Sequence, residues 1–509
     1  MKKYILIIVA AVIAFLIGNF IFKSNHELTF NNVLNDLNER REKLSNYDID
    51  AGQYLCTSTS DDIFTSEEVK HLIEYSKPES RLLSIDEALE DVDCLFKIFK
   101  YEYGGYVYFG GDEVFEQAKE NIVSEINKES EISITKLEEI IANELMFIND
   151  GHLRIGNVRI NEKFQKKYYS NEKIGFKEDS KGFYTLVDGK KKYLETINND
   201  VNVEMYMKLS IDERGHLVHY IGLNKEDGPV IEKIPIKYMA DDASVDEVID
   251  LFRATTTANH KKATFEEILL NDTPVITLRR FDDVGDETFM KDFVESGHKY
   301  KDEKALVIDL RGNSGGSSMW GEFWFENYTG YPVQQGGAKI LRFGPLHKQF
   351  NSLYLHDNHT SYLNKYNMPE LNEFAKKYYD SIKDVMNDDS LNYQLIEREY
   401  QVVDNGSIIF VLIDKRVGSS AEDFVLNLKT TNNVVVVGSN TYGCSDVLSM
   451  INLYLPNSRT NVFLGFSLDI KQEEPHFFDG VGLEPDIWLA NSTMLERVLK
   501  LIESETIEN

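Results

Sequence analysis

The chain has 509 residues, of which 55 are Lys or Arg and 85 are Asp or Glu, so its formal net charge is −30. Hydrophobic residues make up 42% of the chain, which excludes a mainly disordered or low-complexity protein. Nucleic-acid binding needs a positive surface, so the acidic balance argues against DNA or RNA as the main partner. At roughly 100–200 residues per domain, the length predicts two to four domains.

The N-terminus carries a hydrophobic segment. An apolar run from Tyr4 to Phe22 follows Lys2 and Lys3, and Phe20-Ile21-Phe22-Lys23 is a poor context for signal cleavage. The run is within the length range that crosses ~30 Å of hydrocarbon. We therefore predict a transmembrane signal-anchor at 1–23, a single pass through the cell membrane and an extracytoplasmic remainder. The alternative is a cleaved signal and a secreted protein.

The pattern of apolar and polar residues changes along the rest of the chain. Ser84 and Glu87 form a capping box in front of apolar residues at helical spacing. Alternating residues with turn signals follow, and from about residue 270 short buried strands alternate with helices, which indicates an α/β layer with a largely parallel sheet. The predicted regions are a stalk with a first helix (24–80), a helical cap domain (81–160), a β-rich middle domain (161–265) and an α/β catalytic domain (266–509). The predicted strands of the last region are Val275–Leu278, Ala305–Asp309, Ser407–Ile413, Val434–Val437 and Val462–Phe466.

Two polar loops follow buried strands of the α/β region. In Arg311-Gly312-Asn313-Ser314-Gly315-Gly316-Ser317 the glycines can leave backbone N–H groups free for an anion, although a tight structural turn explains the pattern equally well. In Gly418-Ser419-Ser420-Ala421-Glu422 a serine enters a helix N-terminus, where amides and the helix dipole can stabilise an oxyanion. Taken alone, a helix cap completed by Glu422 is the simpler explanation of the second loop. Neither loop has a Walker or dinucleotide pattern, which disfavours nucleotide binding.

Four motifs in chain order resemble the tail-specific (C-terminal-processing) serine proteases. They are Leu306-Val307-Ile308-Asp309-Leu310-Arg311-Gly312-Asn313-Ser314-Gly315-Gly316, Gly418-Ser419-Ser420-Ala421-Glu422-Asp423-Phe424, Val435-Val436-Val437-Gly438-Ser439-Asn440-Thr441-Tyr442-Gly443 and Asp479-Gly480-Val481-Gly482-Leu483-Glu484-Pro485-Asp486-Ile487. The resemblance implies a crotonase/ClpP-like αββ catalytic core with Ser419 as nucleophile. It also implies an oxyanion hole made by the amide of Ser420 and an amide of Gly315 or Gly316. We expect neither a metal nor an organic cofactor.

The general base departs from the best-known branch of that family. Its lysine position is occupied by Cys444, and Lys429 is a fallback that is better explained as a solvated helix residue. The resemblance to the tricorn-like branch implies a histidine in a small-residue loop after a helix, and His152 in Asn149-Asp150-Gly151-His152 fits. An imidazole has an unperturbed pKa of about 6.5, which suits a base at neutral pH. In tricorn a serine precedes the histidine, and here Gly151 does.

The group that orients the imidazole is left open by the sequence. The tricorn-like pattern places an acid shortly before the closing motif, and spacing does not choose among Glu473, Glu474 and Asp479. The middle region has no G-L-G-F-like loop of the PDZ type, so recognition of a substrate C-terminus by such a module is not expected. The region 84–122, which contains the aromatic, glycine-rich stretch at 101–111, is either a cap over the active site or a helix–helix core with a tight turn.

These inferences predict a membrane-anchored, extracytoplasmic serine-type endopeptidase that hydrolyses unfolded or extended polypeptides through an acyl-enzyme. The alternative is a catalytically inactive extracellular binding protein on the same scaffold. Cys444, Gly151 and the missing PDZ module favour that alternative, whereas an intact Ser419 turn and His152 oppose it.

Overall fold

The computed structural model describes residues 28–508, except 46–48, 56–63, 76–80, 227, 241–242, 255–263, 284–287, 350–392 and 474. The predicted signal-anchor at 1–23 lies outside the described residues. Within the described ranges, no helix is both long enough and apolar enough to span a bilayer.

The N-terminal part is helical. Its elements are α1 (Phe30–Leu44), α2 (Ser66–Ile73), β1 (Leu82–Ser84), α3 (Ile85–Glu102), α4 (Gly111–Ile126), β2 (Glu131–Ser133), α5 (Ile134–Glu144), β3 (Arg154–Ile155) and β4 (Val158–Arg159). Helix α3 begins at the predicted capping box: the Ser84 hydroxyl accepts the Glu87 N–H, and the Glu87 carboxylate accepts the Ser84 N–H. Strands β1 and β2 pair antiparallel, and β3 and β4 form a short hairpin.

Helix α1, which lies in the region 24–80 where the sequence predicted a stalk and a first helix, packs on the catalytic domain. Its apolar face is buried, and Phe30 stacks on Phe410 with ring centroids 5.6 Å apart. On the same helix, the Arg41 guanidinium donates to the carbonyl of Val434. This segment therefore forms part of the core of the α/β domain.

The aromatic stretch after α3 is a packed core, the second of the two interpretations offered by the sequence. Tyr103 and Phe115 are fully buried, and Phe99 lies against both rings. A Cβ on Gly104 would lie 2.4 Å from the carbonyl carbon of Ser467, so the chain there contacts the catalytic domain backbone to backbone. The stretch therefore joins the helical and catalytic parts of the molecule.

The middle region is an antiparallel sheet. Its strands are β5 (Lys167–Asp179), β6 (Gly182–Val187), β7 (Lys190–Ile197), β8 (Met207–Ile211), β9 (Leu217–Lys225), β10 (Ile231–Ala240) and β11 (Ala243–Arg253). They follow the order β11-β10-β7-β6-β5-β9-β8, and β11 also pairs with β5, which closes a ring. The predicted Asp188-Gly189 turn joins β6 to β7, and both residues have positive φ, as a two-residue hairpin turn requires.

The C-terminal part is an α/β domain, so the predicted fold class is confirmed. Its elements are β12 (Phe265–Leu270), β13 (Thr273–Leu278), α6 (Phe289–Tyr300), β14 (Ala305–Asp309), α7 (Met319–Thr329), β15 (Ala338–Arg342), β16 (Tyr393–Glu397), β17 (Ile408–Ile413), α8 (Ser420–Lys429), β18 (Val434–Gly438), β19 (Val447–Tyr454), β20 (Asn461–Ile470), β21 (Ile487–Trp488) and α9 (Met494–Glu508). One sheet has the order β12-β13-β14-β17-β18-β21 and is parallel from β13 onward. Its faces alternate with period two, one against α6, α7 and α8 and the other against α1 and α9.

A second, antiparallel sheet carries the β3–β4 hairpin of the helical region. Its order is β16-β15-β20-β3-β4, with β19 also paired to β20. The predicted strand Val462–Phe466 lies in β20 and thus belongs to this sheet instead of the parallel one. An apolar run does not reveal its partner strand, so the sequence could not separate the two sheets. The pairing of β3 with β20 fixes the residues just after His152 to the catalytic domain.

Candidate active site

The nucleophile turn joins β17 to α8 at the carboxyl end of the parallel sheet. Ser419 has φ 56° and ψ −129°, a conformation that costs a non-glycine residue about 1–3 kcal/mol. Its N–H donates to Glu422 Oε2 at 3.1 Å. A strained turn between a strand and a helix is the geometry that exposes a nucleophilic hydroxyl in other hydrolases.

Glu422 holds more than the start of α8. Its Oε1 accepts the Thr441 hydroxyl and, at 2.7 Å, the Gly443 N–H, and its Oε2 accepts the Cys444 N–H at 2.9 Å. Burial raises the pKa of Glu422, and these donors oppose the shift. The sequence presented Glu422 only as a cap partner, because the donors on 441–444 are about 20 residues away along the chain.

His152 lies beside Ser419. Its Nε2 is 3.3 Å from Ser419 Oγ, and its Nδ1 is 3.1 Å from the carbonyl oxygen of Val447. A carbonyl only accepts, so Nδ1 carries the proton and the Nε2 lone pair faces the serine. Burial lowers the pKa of His152 to about 4, and the charges of Arg154 and Arg159 add to that lowering against the bond to Val447. The imidazole is therefore neutral at pH 7, the state that a base needs.

The two polar loops, 311–317 after β14 and 418–422 after β17, meet at this end of the sheet because β14 and β17 are parallel neighbours. The Ser420 hydroxyl donates to the Gly316 carbonyl at 2.7 Å, and a Cβ on Gly315 would lie 2.8 Å from that of Ser419. The Gly315 amide donates to Asn313 Oδ1 at 2.9 Å, so it is not available for an oxyanion. In the described part of the chain the amides of Gly316 and Ser420 have no hydrogen-bond acceptor, which leaves these two of the three predicted donors.

Residues 358–489 match peptidase family S41. This part of the chain is similar to that family. The predicted recognition is thereby confirmed, and the protein is a serine-type peptidase by class. No curated protein matches the sequence.

Among solved structures, the peptidase is similar in fold to CPAF, with 13% identity over 84% of this chain and 98% of that one at a TM-score of 0.46. The photosystem II D1 C-terminal processing protease matches with 13% identity over 81% of this chain and 96% of that one, at a TM-score of 0.35. Tricorn protease matches with 13% identity over 84% of this chain and 37% of that one, at a TM-score of 0.36.

Of the predicted acids, the two that the structure describes, Glu473 and Asp479, have no hydrogen bond to the imidazole. Glu473 forms an ion pair with Lys429 at 2.8 Å, so it is not the orienting group, and Glu474 lies outside the described residues. Asp479 accepts the Gly151 N–H at 2.9 Å, and thus holds the backbone of the histidine loop instead of the ring. The orienting group of the structure is the Val447 carbonyl, which sequence reasoning missed because every residue has a carbonyl.

Buried carboxylates hold both sides of the histidine. Asp150 accepts the His152 N–H at 2.7 Å and the Tyr103 hydroxyl at 2.8 Å. Asp479 also accepts the Asp446 N–H at 3.0 Å, next to Val447, and Asp446 accepts the Asp479 N–H at 2.7 Å. Burial raises the pKa of Asp150 to about 6 and that of Asp446 to about 7. The loop that bears the imidazole and the loop that binds its Nδ1 are thus joined through Asp479.

Cys444 occupies the space between these loops. Burial and the nearby Glu422 raise the pKa of its thiol well above the ordinary value, so it is a neutral side chain. A Cβ on Gly151 would lie only 2.3 Å from the Cys444 Cβ. The glycine that replaces the serine of the tricorn-like pattern is therefore required by the packing of Cys444.

Neither nearby lysine is positioned as a base by its contacts. Lys429, predicted to be solvated, is instead buried in its pair with Glu473. Lys415, which sequence reasoning did not single out, donates to the Thr441 carbonyl at 2.9 Å, and burial lowers its pKa to about 8. Its contact therefore adds a second attachment to the 441–444 loop, which Glu422 also binds.

Proposed function

We propose that the protein is a serine endopeptidase in which His152 is the general base and Ser419 the nucleophile. The observation that carries the proposal is the pairing of Nε2 with the Ser419 hydroxyl while Nδ1–H is bound to a carbonyl. This pairing is the base–nucleophile arrangement of covalent hydrolases, and its distance of 3.3 Å is ordinary for a site without substrate.

In the proposed reaction, Ser419 Oγ attacks a peptide carbonyl and passes its proton to His152 Nε2. The oxyanion that forms is bound by the amides of Ser420 and Gly316. His152 then gives the proton to the leaving amine, and an acyl-enzyme remains on Ser419. A water molecule, deprotonated by the same imidazole, hydrolyses the ester and restores the enzyme.

The Val447 carbonyl has one of the two roles of the acid in a catalytic triad, that of orienting the imidazole. It fixes the tautomer and orientation of the ring, as a carboxylate would. It contributes a dipole instead of a full charge, so it stabilises the imidazolium less. The buried neutral His152 is consistent with this weaker support.

We further propose that the enzyme acts outside the cytoplasmic membrane on unfolded or extended polypeptides. The support for the location is the apolar run from Tyr4 to Phe22 behind Lys2 and Lys3. An epitope placed after Asn509 is expected to be accessible on intact cells. Accessibility only after lysis would refute the orientation, and release into the medium would indicate a cleaved signal.

The activity is tested with the full chain in detergent, using casein as the unfolded substrate. Ser419→Ala and His152→Ala are expected to lower cleavage by about 10³-fold or more. His216→Ala and Ser244→Ala are the matched controls, since both residues lie on the middle sheet region and are exposed. Covalent labelling of Ser419 by a serine-directed phosphonate separates an enzyme from an inactive binding protein, which would not react.

A further inference from the structure

The β3–β4 hairpin places two arginines directly opposite each other. Arg154 and Arg159 are register partners, so their side chains emerge on the same face of the hairpin. Like charges in this arrangement are destabilising. Burial and, after it, the neighbouring charge of Arg159 lower the pKa of Arg154.

Nothing in the described part of the chain neutralises the pair. Arg154 has a buried Nε without a hydrogen-bond acceptor, and its guanidinium lies 5.6 Å from the ring centroid of Phe463. Arg159 donates to the Tyr442 hydroxyl at 3.0 Å, an uncharged acceptor. Among the described residues neither arginine forms an ion pair with a carboxylate, although the chain holds 85 acidic residues.

The pair borders the reacting groups. Arg154 follows His152 by two residues, and the imidazole lies 6.4 Å from the same Phe463 ring. Tyr442, which Arg159 contacts, packs against the nucleophile turn: a Cβ on Gly418 would lie 3.4 Å from its Cβ. Two guanidinium groups therefore lie at the edge of the site, and no carboxylate in the described ranges pairs with either of them.

We propose that Arg154 and Arg159 bind a carboxylate of the substrate next to the scissile bond, either an Asp or Glu side chain or a free C-terminus. A guanidinium fork matches a carboxylate in a bidentate manner, and two forks would share one anion. Binding would also remove the like-charge repulsion within the hairpin. The inference rests on the proposed function, whose substrate class it narrows.

The test begins with cleavage of a mixed peptide pool by the full chain in detergent, with the cut sites read by mass spectrometry. Acidic residues are expected to be enriched near the cuts. Matched peptides are then made with Glu or Gln at the enriched position, each as a C-terminal acid and as an amide, which separates the two sources of the carboxylate. The readout is the ratio of kcat/KM for the charged peptide to that for its neutral counterpart.

For the wild type we expect this kcat/KM ratio to be about ten or more, because the loss of one charge-assisted hydrogen bond lowers affinity by about that factor. The double variant Arg154→Gln/Arg159→Gln is expected to bring the ratio close to one, and higher salt is expected to reduce it. Arg214→Gln, which removes an exposed charge from the middle region, is the matched control and should keep the wild-type ratio. A wild-type ratio near one, or a high ratio that survives in the double variant, overturns the inference while leaving the peptidase proposal intact.

Binding provides a readout that does not depend on turnover. In Ser419→Ala, the charged peptides are expected to bind about tenfold more tightly than the neutral ones, and the additional arginine substitutions should abolish the difference. If the wild type cuts no peptide, the proposed function fails, and this comparison still decides the inference: equal affinities for both peptides overturn it.

Discussion

Substitution of Gly151 by alanine tests whether the contact between the histidine loop and Cys444 positions the base. The added Cβ would lie 2.3 Å from the Cys444 Cβ, 2.6 Å from the Gly443 carbonyl oxygen and 2.8 Å from the Cys444 Cα. The first distance is about 1.2–1.7 Å shorter than an ordinary carbon–carbon contact. Because all three atoms belong to the backbone or are bonded directly to it, no side-chain rotation relieves the clash.

The expected cost follows from where the displacement goes. Overpacking of a dense site costs typically about 1–3 kcal/mol of unfolding free energy. His152 is the next residue, and a misplacement of about 1 Å at a catalytic group costs about 10²-fold in rate. Gly151→Ala is therefore expected to slow phosphonate labelling of Ser419 by about that factor and to lower the thermal unfolding midpoint.

Gly406→Ala is the matched control, since a Cβ there meets no atom within 4 Å. It is expected to label at the wild-type rate. The double variant Gly151→Ala/Cys444→Gly should recover part of the loss, because it removes the nearest atom while the Gly443 carbonyl remains. Wild-type labelling and stability in Gly151→Ala would refute the argument, and so would a double variant no better than the single one.

Three further predictions concern charge. The pKa of His152 is lowered to about 4, so the rate at which the phosphonate labels Ser419 should decline only below about pH 5. Because the charge of Arg154 contributes to that lowering, Arg154→Gln should move the decline to higher pH. A midpoint near the ordinary pKa of 6.5 in both proteins would contradict this prediction. The folded-state pKa of Asp446 is raised to about 7, so the native state binds a proton more tightly than the unfolded chain does. The free energy of unfolding, relative to that of Asp446→Asn, should therefore fall by roughly 2–4 kcal/mol as the pH rises from about 4 to about 7. Parallel urea-unfolding profiles of the two proteins against pH would exclude this prediction. Lys429→Met breaks the buried ion pair with Glu473 and should lower the free energy of unfolding by about 1–3 kcal/mol. The loss is smaller than for a fully isolated pair, because Arg40 stays 3.7 Å from Glu473. Labelling of Ser419 should persist, and its loss in a folded variant would make Lys429 the base.

Local patterns were sufficient for much of the fold. The capping box at Ser84, the Asp188-Gly189 turn and the buried strands of the parallel sheet each depend on residues close together in the chain, and the structure has them where the sequence predicted. Two placements could not be predicted: that of β20 in the antiparallel sheet and that of α1 against the parallel sheet. Both depend on which distant surface covers an apolar face, and periodicity does not contain that information.

The sequence by itself determined the family, the α/β fold class, and Ser419 and His152 as the candidate pair, which the structure brings to 3.3 Å across 267 residues of chain. Only the tertiary structure decided how that pair is held: the Val447 carbonyl on Nδ1, the Gly315 amide taken by Asn313, and Glu422 binding the 441–444 loop. The physical reason is that these contacts use backbone groups, which every residue carries, or a carboxylate whose donors are distant in the chain. The residue type can indicate a nucleophile or a base in the sequence. Which backbone carbonyl accepts the hydrogen bond from that base is decided only by the folded structure.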